Sequence, residues 1–96
     1  MNAGSNVRRV HFVGVGGVGM SGIARVAADF GMAVSGSDMA TSAYTDQLVA
    51  AGIRVFVGHD AANVDPACDV VVASTAVPDT NPEVMRAREL GIPVWQ

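Results

Sequence analysis

The sequence predicts an α/β fold, a doubly wound parallel sheet of about five strands with helices on both faces. Two observations predict it. Apolar runs typical of buried strands alternate with segments of helical periodicity along the chain. A glycine follows each of three predicted helices, at Gly31, Gly52 and Gly91, and an apolar strand begins directly after it. Such helix-to-strand returns are typical of βαβ units, which build parallel sheets.

The predicted elements alternate along a single domain. Residues 1–6 are expected to form a disordered tail, and the domain covers residues 7–96. Strands are expected at residues 8–13, 32–37, 54–57 and 69–74, with a last strand from residue 92 onwards. Helices are expected at residues 18–30 and 43–51, and a third begins after Asn81 as N-cap, with Pro82 at its first position.

The first predicted helix has an apolar face. Ile23, Val26, Ala27 and Phe30 recur at helical spacing, while charged residues fall on the other side. This pattern predicts that these four residues face the core.

Right-handed crossovers place the predicted strands in the order 3-2-1-4-5, a Rossmann-like arrangement. Ligands of such sheets bind beyond the carboxyl ends of the strands, where the strand order reverses. The polar loops at this edge comprise residues 14–19, 35–38, 58–60 and 74–79. We therefore expect one ligand site between the first and fourth strands.

A glycine-rich turn of the form Gly-x-Gly-x-x-Gly follows the first strand. In this context it predicts a pyrophosphate site. We expect Gly14 to permit a tight turn, Gly16 to let the backbone approach a phosphate, and Gly19 to pack the helix closely on its strand. The N–H groups from Gly17 to Met20 would point at the anion, with the helix dipole behind them. The alternative is a glycine turn chosen only for packing.

Asp38 stands at the end of the second predicted strand, nineteen residues after Gly19. In dinucleotide-binding proteins an acid at this place accepts hydrogen bonds from ribose hydroxyls and disfavours a 2′-phosphate. We interpret Asp38 as a ribose ligand. The alternative is a residue that caps the second helix or ends the strand.

Other polar residues near the strand ends have two possible roles each. His59 is either a ligand of the base or ribose, or a polar turn residue. Ser74 and Thr75, followed by Ala76, either donate hydrogen bonds to a ligand or cap the turn. His11 lies inside the first strand, where we expect a core histidine with satisfied hydrogen bonds.

Composition excludes several classes of protein. Half of the 96 residues are hydrophobic and 16% are charged, which indicates a globular domain with one core. The net charge of −3 argues against a nucleic-acid partner. Glycines in the apolar stretch after Arg8-Arg9 disfavour a signal peptide or a membrane helix. With Cys68 as a lone structural thiol, we expect a cytoplasmic protein without a membrane partner.

The residue types that catalysis requires are missing. The sequence has no lysine, and therefore no Gly-Lys-Ser/Thr phosphate loop. It also shows no metal-ligand spacing and no nucleophile beside a base. We therefore expect a binding module with no metal, no cofactor of its own and no catalytic residue.

The glycine loop continues in an unusual way, as Met-Ser-Gly-Ile-Ala. The stretch from Gly14 to Ala24 thereby closely resembles the amino-terminal domain of the Mur ligase family. Other stretches similar to that family are residues 34–38, Gly58-His59 with Asn63, residues 81–83 and residues 91–94. The resemblance runs from Val7 onwards. A mild departure is Ser-Thr-Ala-Val at residues 74–77, where the family often has Ser-Ser-Ala-Ile.

The resemblance implies an ATP-dependent, magnesium-using ligase of peptidoglycan synthesis that joins L-alanine to UDP-N-acetylmuramate. This chain would be its first domain, which binds the UDP end of that substrate. The ATP-binding and C-terminal domains would follow Gln96 and be its partners in the parent chain. The implied UDP-binding residues are Gly14, Gly16, Gly17, Val18, Gly19, Met20, Ser21, Asp38, His59, Ser74, Thr75 and Ala76. The diphosphate would meet the glycine loop, the ribose Asp38, and the uracil His59 and the loop after Ser74.

Two other functions stay open from the sequence. An NAD-binding domain of an oxidoreductase, or a nucleotide-sensing regulatory domain, fits the glycine loop and Asp38 equally well. The second mononucleotide half, which would seat a nicotinamide, is missing from the sequence. An interaction module with a vestigial nucleotide site is the third possibility.

Overall fold

Strands and helices alternate along the chain. The computed structural model describes residues 7–96, and the tail predicted at residues 1–6 lies outside the described residues. The strands are β1 (Arg9–Val13), β2 (Ala33–Asp38), β3 (Arg54–Val57), β4 (Val70–Ala73) and β5 (Val94–Trp95). The helices are α1 (Val18–Asp29), α2 (Ala43–Ala50) and α3 (Pro82–Glu89), and a 3₁₀ turn covers Ala61–Asn63. Each predicted strand and helix is present, with bounds that differ by at most two residues.

The sheet is parallel and has the strand order β3-β2-β1-β4-β5, which confirms the predicted order. The central strand β1 pairs with β2 on one side and with β4 on the other. The strand order therefore reverses between β1 and β4. Because the strands are parallel, their carboxyl ends lie along one edge of the sheet, where a ligand site is expected.

Two apolar clusters cover the two faces of the sheet. On one face, Phe12 and Val70 pack with Ala24 of α1 and Leu48 of α2. The opposite face holds the other cluster, made by these residues of β1, β4, α3 and their neighbours: Val13, Val64, Cys68, Val71, Ala73, Val84, Ala87 and Ile92. Alternate residues of β1 and β4 belong to different clusters, as expected for strands buried on both faces.

The prediction that four residues of α1 are in the core holds in part for Ala27, which packs against one of the apolar clusters, and is wrong for the other three. Ile23, Val26 and Phe30 are 55%, 53% and 80% exposed, and Ala27 is only partly buried. The buried residues of the helix are Ser21 and Ala24. Ile23 and Ala27 line an apolar groove together with Phe12, Val70 and Val72 of the sheet, so Ile23 faces the sheet although it is not buried.

The ends of the helices follow the local sequence. The side chain of Asn81 accepts hydrogen bonds from two backbone N–H groups of the first turn of α3, which confirms it as the N-cap. Gly31, Gly52 and Gly91 have φ values of 87°, 87° and 73°. These left-handed conformations confirm the three predicted helix ends, and each glycine turns the chain directly toward the next strand.

Candidate functional site

A cleft of about 480 Å³ lies at the carboxyl edge of the sheet. It opens where β1 and β4 end and the strand order reverses. Its lining residues come from the loops that follow β1, β2, β3 and β4: Gly14, Gly17, Asp38, Met39, His59, Ser74, Ala76, Val77, Pro78 and Asn81. The predicted convergence of polar loops at one place is therefore present in the structure.

The first loop turns sharply at Gly14, whose φ of 84° lies in the left-handed region. The N–H groups of Gly14 and Val15 both donate to the carbonyl oxygen of Ser37, at 2.9 and 3.0 Å. A Cβ at position 14 would also lie 3.2 Å from the Cβ of Ser74. The turn thus requires glycine for its conformation, as predicted, and it is fixed to the end of β2.

The amino terminus of α1 has free hydrogen-bond donors beside this cleft. The first bond within the helix runs from the N–H of Ser21 to the carbonyl of Gly17, at 2.8 Å. No acceptor among residues 7–96 takes the N–H groups of Val18, Gly19 and Met20. Gly17, the N-cap, has no side chain that would take them. These donors and the helix dipole favour an anion at this end of α1.

Gly16 and Gly19 have very different surroundings within the loop. A Cβ at Gly16 would lie 2.7 Å from Oδ2 of Asp38, so the immediate neighbour of Gly16 is a carboxylate. A Cβ at Gly19 would have no heavy atom within 4 Å, and its predicted role in close helix packing is wrong. Close packing occurs at Gly36 instead, where a Cβ would lie 2.7 Å from the Cβ of Val15.

Asp38 connects the end of β2 to the glycine loop. Its Oδ2 accepts a hydrogen bond from the N–H of Gly16 at 2.7 Å, and its Oδ1 accepts one from the N–H of Met39 at 2.7 Å. The alternative role as a cap of α2 is wrong, because Ser42 caps that helix. The carboxylate of Asp38 therefore holds the loop in place at the lining of the cleft.

The remaining predicted residues divide between the cleft and its surroundings. His59, Ser74 and Ala76 line the cleft, whereas Thr75 is exposed and lies outside its lining. The hydroxyl of Ser74 accepts a hydrogen bond from the N–H of Ala76 at 3.3 Å, which is the turn-capping role. In the glycine loop, Gly14 and Gly17 line the cleft. The predicted residues of that loop outside the lining are Gly16, Val18, Gly19, Met20 and Ser21.

Glu83 is a residue of this region whose importance the sequence did not reveal. Its side chain is fully buried at the start of α3. Oε1 accepts hydrogen bonds from Nε2 of His11 and from the hydroxyl of Ser37, the latter at 2.8 Å. Oε2 lies 3.2 Å from Nδ1 of His59 and accepts hydrogen bonds from the side chain of Asn63 and the N–H of Asp60, at 3.2 and 3.1 Å.

The hydrogen bonds to Glu83 keep its carboxylate ionised. Burial raises the pKa of Glu83, but the hydrogen bonds from His11, Ser37 and Asn63 outweigh it and hold the pKa at about 2, below the ordinary 4.5. His11 is 1% exposed, and its other ring nitrogen hydrogen-bonds the hydroxyl of Ser35 at 2.7 Å. This confirms the prediction that His11 is a satisfied core histidine.

In the sequence, Glu83 looks like an ordinary acid in the first turn of a helix. The motif that contains it, Asn81-Pro82-Glu83, predicted the cap but gave no sign that the carboxylate points inward. The available signal was the pair of histidines, His11 and His59, in a domain that buries at least one of them. A buried histidine requires a polar partner. Glu83 is a carboxylate in the segment after β4, the strand that pairs with β1.

Comparison with known proteins decides the family. The family model described as the Mur ligase family, catalytic domain, matches residues 9–96, which is nearly the whole chain. The chain belongs to the Mur ligase family.

Relatives within the Mur ligase family are similar along the same stretch. The chain is 56% identical over 90 residues to a UDP-N-acetylmuramate–L-alanine ligase of Burkholderia cenocepacia, and 54% identical to one of Burkholderia multivorans. Each match covers 94% of this chain and 19% of the relative. The chain thus spans about a fifth of the length of the curated relatives that it matches.

Solved structures of Mur ligases have the same fold. The UDP-N-acetylmuramate–alanine ligase of Thermotoga maritima matches with a TM-score of 0.87 and 40% identity, over 91% of this chain and 20% of that one. The UDP-N-acetylmuramate:L-alanyl-γ-D-glutamyl-meso-diaminopimelate ligase of Neisseria meningitides matches with a TM-score of 0.81 and 34% identity, over 92% of this chain and 28% of that one.

No group of three or more His, Cys, Asp or Glu side chains among residues 7–96 is placed to hold a metal ion. Within the same residues, no helix has the length and apolar character to cross a membrane.

Proposed function

We propose that this Mur ligase chain binds the UDP end of UDP-N-acetylmuramate, as the amino-terminal part of an ATP-dependent ligase that adds L-alanine to that substrate in peptidoglycan synthesis. The names of the Burkholderia and Thermotoga relatives support this substrate. The chain itself is expected to be inactive. Binding a remote part of the substrate would orient the carboxylate that reacts elsewhere in the parent enzyme.

The observation that carries the proposal is the amino terminus of α1 beside the cleft. The N–H groups of Val18, Gly19 and Met20 have no acceptor among the described residues. Since the sequence has no lysine, backbone groups are the main donors that this chain offers to a diphosphate. A diphosphate at this loop would take these N–H groups, with Gly16, Gly17 and Ser21 around it.

The rest of the nucleotide would extend along the cleft. Asp38 lines the cleft at the end of β2, where its carboxylate oxygens would accept hydrogen bonds from the ribose hydroxyls. The uracil would lie near His59 and the turn at Ser74–Ala76. Gly14 lines the same cleft. Thr75 is exposed and lies outside the lining of the cleft.

The parent enzyme would use ATP and Mg²⁺, but the described residues do not fit a site for them. The chain lacks a lysine-containing phosphate loop, and residues 7–96 hold no cluster of metal ligands. We propose that the ATP-binding and C-terminal domains of the parent chain supply those groups. The free, buried thiol of Cys68 fits the reducing conditions of the cytoplasm, which is the proposed location.

An amide NMR titration tests the proposed function. UDP-N-acetylmuramate, UDP and NAD are added in parallel to the ¹⁵N-labelled chain. We expect the two uridine ligands to shift the resonances of residues 16–21 and of Asp38. Gly52, which lies outside the lining of the cleft, provides an internal reference signal.

The three ligands distinguish the candidate functions. A response to NAD alone would favour the oxidoreductase or nucleotide-sensing domain, which the relatives described above do not support. Uridine-dependent shifts confined to residues outside the cleft would overturn the site. The absence of a response to any nucleotide would favour an interaction module.

A further inference from the structure

The hydrogen bonds around Glu83 determine which ring nitrogen of His59 carries a proton. Oε2 of Glu83 accepts hydrogen bonds from the N–H of Asp60 and the amide of Asn63, so this oxygen is an acceptor. Nδ1 of His59 lies 3.2 Å from the same oxygen. A nitrogen that faces an acceptor at this distance must donate, which places a proton on Nδ1.

Ser37 imposes the same protonation from a second direction. The hydroxyl of Ser37 donates to Oε1 of Glu83 at 2.8 Å, so its only hydrogen is used. The oxygen of this hydroxyl lies 3.0 Å from Nδ1 of His59 and is left to accept. Both neighbours of Nδ1 are therefore acceptors. In a neutral imidazole the other nitrogen, Nε2, then carries a lone pair.

Nε2 of His59 is exposed to solvent. It has no hydrogen-bond partner among residues 7–96, and no buried side-chain nitrogen or oxygen in that range lacks a partner. Nε2 is therefore accessible to solvent, although only 15% of the side chain is exposed. Because His59 lines the cleft, this small exposed part is an acceptor at the cleft surface.

We propose that Glu83 is a positioning residue that fixes His59 in the Nδ1–H tautomer, so that Nε2 accepts a hydrogen bond from the ring N–H of a bound uracil. This inference rests on the proposed function, since it concerns the base of the same nucleotide. It makes His59 the residue that selects the base. Uracil has an N–H at ring position 3, whereas cytosine has a lone pair there, which would face the lone pair of Nε2.

The tautomer is measured first, on the protein without ligand. Long-range ¹H–¹⁵N correlation spectra at about pH 8, where an ordinary imidazole is neutral, distinguish a protonated from an unprotonated ring nitrogen. We expect the Nδ1–H form for His59 in the wild type. An Nε2–H form, or a mixture of the two, would overturn the inference before any nucleotide is added.

Nucleotide selectivity is measured next, with UDP and CDP as probes. The wild type is expected to bind CDP at least about tenfold more weakly than UDP. With CDP, the hydrogen bond to Nε2 of His59 is lost, and the lone pairs of Nε2 and of the cytosine ring nitrogen face each other instead. In Glu83→Gln the side-chain amide can donate to Nδ1 of His59, so Nδ1 no longer has to carry a proton. We therefore expect the preference for UDP over CDP to shrink severalfold. Glu89→Gln makes the same change at an exposed carboxylate of α3 and should leave the preference unchanged.

A second variant, at the end of the Glu83 network that lines the cleft, covers the case in which Glu83→Gln fails to fold. His59→Phe retains a flat ring but has no acceptor, so it should bind UDP and CDP equally well through the diphosphate and ribose. Equal binding of UDP and CDP to the wild type would overturn the inference and leave the proposed function intact. Binding of neither nucleotide would overturn both.

Discussion

At the residue scale, Glu83 is the group on which the interior near the cleft depends. One carboxylate satisfies side chains from β1, β2 and the loop after β3, and the structure shows no unpaired buried side-chain nitrogen or oxygen within residues 7–96. Removing a single partner from such a network leaves the others without hydrogen bonds. We therefore expect Glu83 to dominate the dependence of stability on acid.

Stability should fall between about pH 4.5 and pH 2, the range between the ordinary and the lowered pKa of Glu83. The folded pKa is the lower one, so the contribution is fully present above 4.5 and is lost as the pH falls through the folded value. The loss in the free energy of unfolding is on the order of 3 kcal/mol. Urea unfolding at several pH values measures it, and Glu83→Gln should flatten the profile. The profile of Glu89→Gln should match that of the wild type.

One substitution tests whether Asp38 binds the ribose or only holds the glycine loop in place. Asp38→Ala removes the acceptor proposed for the ribose and should weaken UDP binding by about 1–3 kcal/mol, measured by titration calorimetry. Asp29→Ala, at an exposed carboxylate at the far end of α1, is the control and should bind UDP normally. A loss of stability with unchanged affinity would assign Asp38 to holding the loop at Gly16 alone.

Asp38 and His59 could be predicted from the sequence, but the groups that hold them could not. Asp38 ends β2 and His59 follows the end of β3, and strand order alone brings strand ends together. The contact between Asp38 and the N–H of Gly16, and those between Glu83 and His59, join residues 22 and 24 positions apart. Which side chain points inward at such a place depends on three-dimensional packing, which spacing along the chain does not encode.

At the scale of elements, bounds were predictable because local signals set them. The left-handed glycines and the cap at Asn81 act within a few residues, and the structure confirms them. The face of α1 was not predictable, because apolar residues occur on both its buried and its exposed side. Ala24 is fully buried while Phe30 is 80% exposed. Ile23 lines a groove with Phe12 of the sheet and is still 55% exposed, so a residue that faces the sheet is not necessarily buried here.

Gly36 of β2 packs so closely against the glycine loop that any larger side chain would be too close to its neighbour. A methyl group at this position would lie 2.7 to 2.9 Å from three side-chain atoms of Val15, which is fully buried. We expect Gly36→Ala to lower the free energy of unfolding by about 1–3 kcal/mol, as for other overpacked cores. Chemical denaturation followed by circular dichroism measures it, and a change below about 0.5 kcal/mol would contradict the tight contact.

Gly22 provides the opposite case within α1. It is exposed in the helix interior, and a Cβ there would have no heavy atom within 4 Å. Gly22→Ala should therefore raise the free energy of unfolding by about 0.5–1 kcal/mol, because alanine loses less backbone entropy in a helix. The same denaturation experiment measures it. Destabilisation would show that α1 approaches another part of the protein at this position.

At the scale of the whole molecule, ligand binding should appear as thermal stabilisation. A ligand that binds only the folded state at 100 times its Kd stabilises it by about 2.7 kcal/mol. For a domain of this size the expected increase in Tm is roughly 10–20 °C with UDP. Calorimetry with NAD at the same concentration is the control and should show no increase. Equal increases with both would contradict a site that selects uridine.

Glu83 is synthesised long after the residues that it holds. His11 precedes it by 72 residues, Ser37 by 46 and His59 by 24. A nascent chain that has reached only β4 thus contains three polar side chains whose common acceptor does not yet exist. Burying them at that stage would cost the full desolvation of each group. We therefore expect the interior beneath β1 and β2 to close only after α3 has been synthesised.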